Sequence, residues 1–206
     1  MQRFPLALRI WVGSFVACAA VVVFSFAEMD VAVARHLWRG HRHLGYLGTV
    51  FGAAVLLTLE SAVLLSLILA RVTRGHLSRF RETLAIACLA SICAYGINDQ
   101  VLKPLFGVQA PAAVIHGARH AFDFAMGFAG SSFPSGHMVL AGAFAGVFMR
   151  LYRASIWPLA ALLLISATLL IVGDWHFISD VIAGTFLGVS AGILAAEGWL
   201  AHLHQK

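Results

Sequence analysis

Three short stretches of the sequence gather side chains suited to handling a phosphorylated group. The first holds Asn98, Asp99, Gln100 and Lys103, the second reads Ser131-Ser132-Phe133-Pro134-Ser135-Gly136-His137, and the third reads Asp174-Trp175-His176-Phe177-Ile178-Ser179-Asp180. Pro134 to His137 opens a predicted helix, whose first turn presents unpaired amide N–H groups and a positive dipole end to an anion. Ser135 adds a hydroxyl donor, and Gly136 lets a phosphate approach the backbone. Lys103 contributes a cation. His176 and Asp180 stand four apart around a turn that Ser179 could cap. A carboxylate on one ring nitrogen of His176 fixes the tautomer and leaves the other nitrogen free as nucleophile or base. His137, on a different helix, then suits the general acid for a leaving oxygen. One histidine paired with a carboxylate and one at a positive helix end suit opposite acid–base roles.

These residues need a scaffold, and composition says which kind. The chain has 206 residues, 61% of them hydrophobic and 11% charged, whereas about a quarter of a soluble domain's residues are charged. So much apolar surface needs a bilayer as second solvent, and about 20 apolar residues in helix cross one. Six spans are expected, at about 10–27, 47–70, 83–102, 136–152, 156–173 and 178–200. The expected fold is all-α, a polytopic six-transmembrane-helix bundle forming one domain over 1–206. The run from Ile10 to Ala27 meets Glu28-Met29-Asp30 and no small-residue cleavage pattern, which reads as a retained first helix and not a signal peptide. Pro158 suits the first turn of the fifth span. Gly48/Gly52, Gly142/Gly146 and Gly184/Gly188/Gly192 recur every four residues, a spacing that lets helices pack closely.

Orientation follows from lysine and arginine. With the N-terminus inside, Arg3, Arg9, Arg71, Arg74, Arg79, Arg81, Arg150, Arg153 and Lys206 fall in the cytoplasm, against Arg35, Arg39, Arg42, Lys103 and Arg119 outside. That bias predicts an inner-membrane protein with both termini cytoplasmic. All three polar stretches then lie on the outer, periplasmic or extracellular, face. The long connection from Lys103 to Phe133 lies there too, and long loops in compact proteins tend to carry function.

Lys103 through Pro111, Pro134-Ser135-Gly136-His137, and His176 with Asp180 four residues on resemble the three signatures of the type 2 phosphatidic acid phosphatase superfamily, which also contains vanadium haloperoxidases. With the six expected spans, the resemblance covers nearly the whole chain. It implies a metal-independent, cofactor-free lipid phosphatase. His176 would attack phosphorus to form a phosphohistidine, Asp180 would orient it, and His137 would protonate the leaving group. Lys103, Ser135 and the amides near Gly136 would hold the phosphoryl oxygens.

Two positions depart from the signatures. Where the family has an arginine before the first signature's proline, this chain has Ala110-Pro111, and where the third signature begins Ser-Arg, it has Leu169-Leu170. Arginine holds phosphate bidentately, and a point charge does not reproduce that geometry. Arg119 or His120 in the long loop, or Arg42 in the first outer segment, could substitute in part. Three readings stay open. The chain hydrolyses a dianionic phosphomonoester or a diphosphate with a loop cation such as Arg119 compensating, it transfers a phosphorylated head group from a monoanionic phosphodiester to an alcohol, or it binds lipid without catalysis.

Other polar residues read more plainly. His36, His41, His43 and His116 scatter through outer segments without the convergence that zinc requires, so no metal is expected. Cys18, Cys88 and Cys93 sit in apolar runs as structural thiols. Glu60, deep in the second span, reads as hydrogen-bonded to a neighbouring helix. Trp11, Trp157 and Trp199 near span ends, and Trp38 between spans, read as interfacial anchors. Asp99 reads as an anchor for Lys103 or a cap on the third span. The expected partners are the bilayer and a lipid or lipid-linked phosphate, with no nucleic acid.

Overall fold

Every long helix but one in the computed structural model turns large apolar side chains outward. It describes residues 6–38, 44–124 and 131–205, so Arg39, His41, Arg42 and His43 lie outside the described part. The order is α1 Leu6–Phe24, a π-helical turn Ser25–Met29, α2 Asp30–Leu37, α3 Leu44–Arg74, α4 Arg79–Ile97, a second π-helical turn Asn98–Leu102, α5 Lys103–Phe106, α6 Pro111–Ile115, α7 Gly136–Leu151, α8 Ile156–Val172 and α9 Ile178–Leu203. Among the described residues there is no strand. Val23 on α1, Leu65 and Val72 on α3, and Trp157 and Leu164 on α8 are all exposed, the pattern of a surface solvated by hydrocarbon.

The exception is α7, which sits at the centre against α3, α4, α8 and α9. Nine of its 16 residues are buried. Its glycines and those of α9 bring the two backbones into contact. A Cβ on Gly188 would stand 2.5 Å from the carbonyl oxygen of Val139, and one on Gly192 would stand 2.1 Å from that of Ala143. The pairing runs from Gly184 beside Ser135 to Arg150, whose guanidinium Nε meets Glu197 at 2.5 Å. α7 and α9 are therefore parallel, with their N-termini at one end of the bundle. Ser91 of α4 donates its hydroxyl to the carbonyl of Leu140 at 3.0 Å, fixing α4 to the other side of α7.

The six-span expectation is met in part. Among the described residues, five segments are long and apolar enough to cross a membrane: Leu8–Leu37, Gly52–Arg74, Arg79–Ile115, Arg153–Val172 and Ile178–Leu203. The fourth expected span is the shorter Gly136–Leu151. Sixteen residues at about 1.5 Å each give about 24 Å, less than the about 30 Å of a bilayer's hydrocarbon. The first helix also runs beyond Ala27, because the π turn carries it on to Leu37 with the amide of Asp30 bonding back to the carbonyl of Ser25. A second π turn carries α4 on to Lys103 in the same way, with the Lys103 amide on the carbonyl of Asn98. A π turn inserts an extra residue and re-aims the helix beyond it, and such turns recur at functional sites. Here one delivers Asp30 and the other Lys103.

An apolar gap of about 1270 Å³ lies between α1, α8 and α9, and none of the polar residues singled out at the α7 and α9 N-termini lines it. Glu60 of α3 faces Ser91 of α4 inside the bundle.

Candidate active site

The third polar stretch starts from the way α8 ends. The amide of Trp175 bonds the carbonyl of Leu170 at 3.0 Å, and the amide of Asp174 bonds that of Ile171 at 3.1 Å. This Schellman arrangement requires a left-handed residue, and Asp174 takes it with φ 58°; aspartate is among the few non-glycine residues that adopt this conformation readily. The chain reverses within this turn and starts α9 at Ile178. His176, 7% exposed, lies in the short connection, and Asp180, fully buried, lies in the first turn of α9.

Asp180 Oδ2 accepts from the backbone amide of Phe177 at 3.0 Å and stands 3.2 Å from His176 Nδ1. The helix N-cap is therefore Phe177, with Asp180 at the third position satisfying its amide. Ser179 was the expected cap. It instead gives both its amide, at 3.1 Å, and its hydroxyl to the carboxylate of Asp30, which is 1% exposed. With Nδ1 of His176 donating to Asp180, Nε2 is the nitrogen left for reaction.

The second stretch is stitched to the first and third. Ser131 Oγ accepts the Val108 amide at 2.9 Å, and the Ser132 amide donates to the Val108 carbonyl at 2.8 Å. Asn98 donates its side-chain amide to the Pro134 carbonyl at 3.2 Å, and the Ser135 amide donates to the Asp180 carbonyl at 3.1 Å. Ser135 is the N-cap of α7, accepting the Met138 amide at 3.5 Å, which leaves its own hydroxyl hydrogen for another acceptor. A Cβ on Gly136 would stand 2.9 Å from the Tyr95 ring and 3.6 Å from Lys103 Nζ. Glycine thus keeps open the space between the α7 N-terminus and the ammonium group. Lys103 Nζ is also 3.2 Å from Asp99 Oδ1, so Asp99 is its anchor.

The rings of His137 and His176 meet with centroids 5.7 Å apart at 72°, and Trp175 stacks near His137 at 6.2 Å. His137 Nε2 is buried without a hydrogen-bond partner among the described residues. It faces α3, where a Cβ on Gly52 would stand 2.9 Å from it.

The structure therefore brings together His137, His176, Asp180, Ser135, Gly136 and Lys103. Arg119 is exposed on the loop after α6, and among the described residues no hydrogen bond or ion pair ties it to that group. His120 turns elsewhere: its ring stacks on Phe26 at 4.1 Å and its Nε2 lies 3.6 Å from Asp30 Oδ2. The two arginine positions hold no cation. Leu170 is 4% exposed in an apolar cluster with Met138, Leu163 and Val181, and Ala110 is the N-cap of α6. Sequence reasoning missed Asp30 and Tyr95 and read Gly52 only as a helix-packing glycine. Of the two missed, Asp30 alone carried a signal, as an acidic residue closing an apolar run. Among the described residues no group of three or more His, Cys, Asp or Glu is placed to hold a metal ion.

A family model described as the PAP2 superfamily matches residues 83–202, more than half of the chain, and this interval contains all the gathered residues. No curated protein and no solved structure gave a match.

Proposed function

We propose, from the premise that this chain belongs to the PAP2 superfamily, that it hydrolyses a phosphomonoester or diphosphate of an amphiphilic, lipid-linked substrate at the outer face of a membrane. The observation that carries this reading is the meeting of two imidazoles from separate elements, 5.7 Å apart, with a buried carboxylate on Nδ1 of one of them.

In the first step His176 Nε2 attacks phosphorus, forming an N–P bond as the bond to the leaving oxygen breaks. His137 gives that oxygen a proton. Asp180 holds the attacking ring and offsets the positive charge it gains. Lys103, the Ser135 hydroxyl and the amides of the α7 N-terminus receive the phosphoryl oxygens, preorganised donors that need not rearrange as charge shifts. In the second step water attacks phosphorus, the N–P bond breaks, His137 takes the water's proton, and inorganic phosphate leaves. Arg119 is the loop cation assigned to approach the phosphate once substrate is present.

The positive-inside bias supports an inner-membrane orientation with both termini cytoplasmic and the site facing the periplasm or cell exterior. The parallel course of α7 beside α9 supports a sixth, short crossing with the histidines at one level. A lipid panel assayed for phosphate release tests the function. Wild type releases phosphate from at least one lipid phosphate, whereas His176→Ala and His137→Ala do not; release by His176→Ala at the wild-type rate overturns it.

One observation favours a second reading. Leu170 and Ala110 replace both guanidinium clamps, and Asp99 shares the charge of Lys103. A site with fewer free cations suits a monoanionic phosphodiester and transfer of its phosphorylated head group to an alcohol. In the same assay that enzyme needs an added alcohol acceptor and releases little free phosphate.

A further inference from the structure

Asp30 lies outside the stretch matched to the family, on the first helix, and 149 residues from the partner it holds. A carboxylate buried to 1% carries a heavy desolvation cost unless its oxygens are satisfied. Oδ1 accepts the Ser179 amide at 3.1 Å, Oδ2 accepts the Ser179 hydroxyl, and the His120 ring approaches Oδ2 at 3.6 Å. The Ser179 amide is one of the unpaired N–H groups of the α9 N-terminus, where an anion is stabilised by both hydrogen bonding and the helix dipole.

The turn that Asp30 grips is the one on which the proposed chemistry depends. Ser179 is flanked by Asp180, which meets His176 Nδ1, and the Asp180 carbonyl takes the Ser135 amide that opens α7. His120 closes the arrangement from the long loop, with its ring 4.1 Å from Phe26 before Asp30 and 4.5 Å from Phe177 beside His176. Asp30, His176 and Phe177 also line one cavity of about 10 Å³. A small rotation of the first α9 turn would carry the Asp180 carboxylate off His176, and Asp30 is the side chain that resists it from outside the helix.

We infer that Asp30 is a positioning residue for the nucleophile: acting through Ser179, it fixes the first turn of α9 so that Asp180 holds His176 in attacking orientation. The first helix, with its π turn, is thereby part of the catalytic unit. This inference rests on His176 being the nucleophile.

The test uses full-length protein in detergent, with kcat and KM from phosphate release on the best lipid of the panel. Asp30→Ala removes both acceptors and lowers kcat by about 10- to 100-fold, as expected for losing hydrogen bonds to a charged group, with KM within twofold of wild type. Asp30→Asn keeps an oxygen for the Ser179 amide and recovers part of that loss. Ser179→Ala, which keeps the amide bond and drops the hydroxyl, gives a smaller fall in kcat at unchanged KM, and it decides the matter if Asp30→Ala does not accumulate. His176→Ala run alongside separates the two claims. If it stays active, the functional reading fails. If it is inactive while Asp30→Ala, Asp30→Asn and Ser179→Ala all keep wild-type kcat, or change KM alone, the role given to Asp30 is overturned.

Discussion

Replacing Asp180 by asparagine changes one thing at the proposed site. Asparagine has the same shape, and its carbonyl oxygen can take the place of Oδ2, accepting the Phe177 amide at 3.0 Å and facing His176 Nδ1 at 3.2 Å. The α9 cap survives, and so does the fold. The negative charge opposite a ring that becomes cationic as Nε2 bonds to phosphorus is lost. A hydrogen bond to a charged group contributes about 1.5–3 kcal/mol, and each 1.36 kcal/mol on a barrier is tenfold in rate. The expected loss is therefore about 10- to 150-fold in kcat. Because the charge matters in the transition state and not for holding the lipid, KM should stay within twofold. The assay is phosphate release from mixed micelles at saturating substrate, with thermal unfolding in the same detergent as the folding check. An Asp180→Asn enzyme with kcat within threefold of wild type would refute the reasoning, as would one whose whole loss is in KM.

Lys103→Ala removes the ammonium 3.6 Å from the space kept open by Gly136 and should lower kcat/KM by about 10- to 150-fold on the same estimate, measured on the same lipid. Arg119→Ala should raise KM about fivefold with kcat unchanged, the effect of about 1 kcal/mol from one cation at a membrane surface, and steady-state kinetics check it. Gly188→Ala places a Cβ 2.5 Å from the Val139 carbonyl, a backbone atom that cannot swing aside, so it should destabilise by about 1–3 kcal/mol. Gly96→Ala, with nothing within 4 Å of its Cβ, should leave the melting temperature in detergent equal or higher.

What the sequence made legible was local. Pro134 to His137 announces a helix start, and His176 and Asp180 announce a pair one helical turn apart; both could be read because their partners lie within four residues. Glycines at intervals of four pointed to close helix packing, found between α7 and α9. What stayed hidden depends on topology. Serine is a better intrinsic N-cap than phenylalanine, so Ser179 looked like the cap of α9. Asp30 claims it from the other end of the chain, while Asp180 satisfies the Phe177 amide. The two π turns have no periodic signature, so the first helix looked as if it ended at Ala27. The fourth span is already short in the sequence, at 136–152, but only the fold shows that its apolar faces meet protein at the centre of the bundle. The absent guanidinium groups were visible as Ala110 and Leu170, but only the fold shows that Leu170 is packed among Met138, Leu163 and Val181.

The proposed mechanism turns on a covalent phosphoryl group passing through one histidine. The direct measurement is an alkaline quench of turnover with a radiolabelled phosphate substrate, then mass spectrometry of the labelled peptides. An aryl phosphate, whose leaving group departs without a proton, should be used with His137→Ala, which forms the intermediate but hydrolyses it slowly. The mechanism predicts an acid-labile phosphoryl group on His176 that accumulates in His137→Ala and is absent from His176→Ala. Label on any other residue, or steady phosphate release with none on His176, would contradict it.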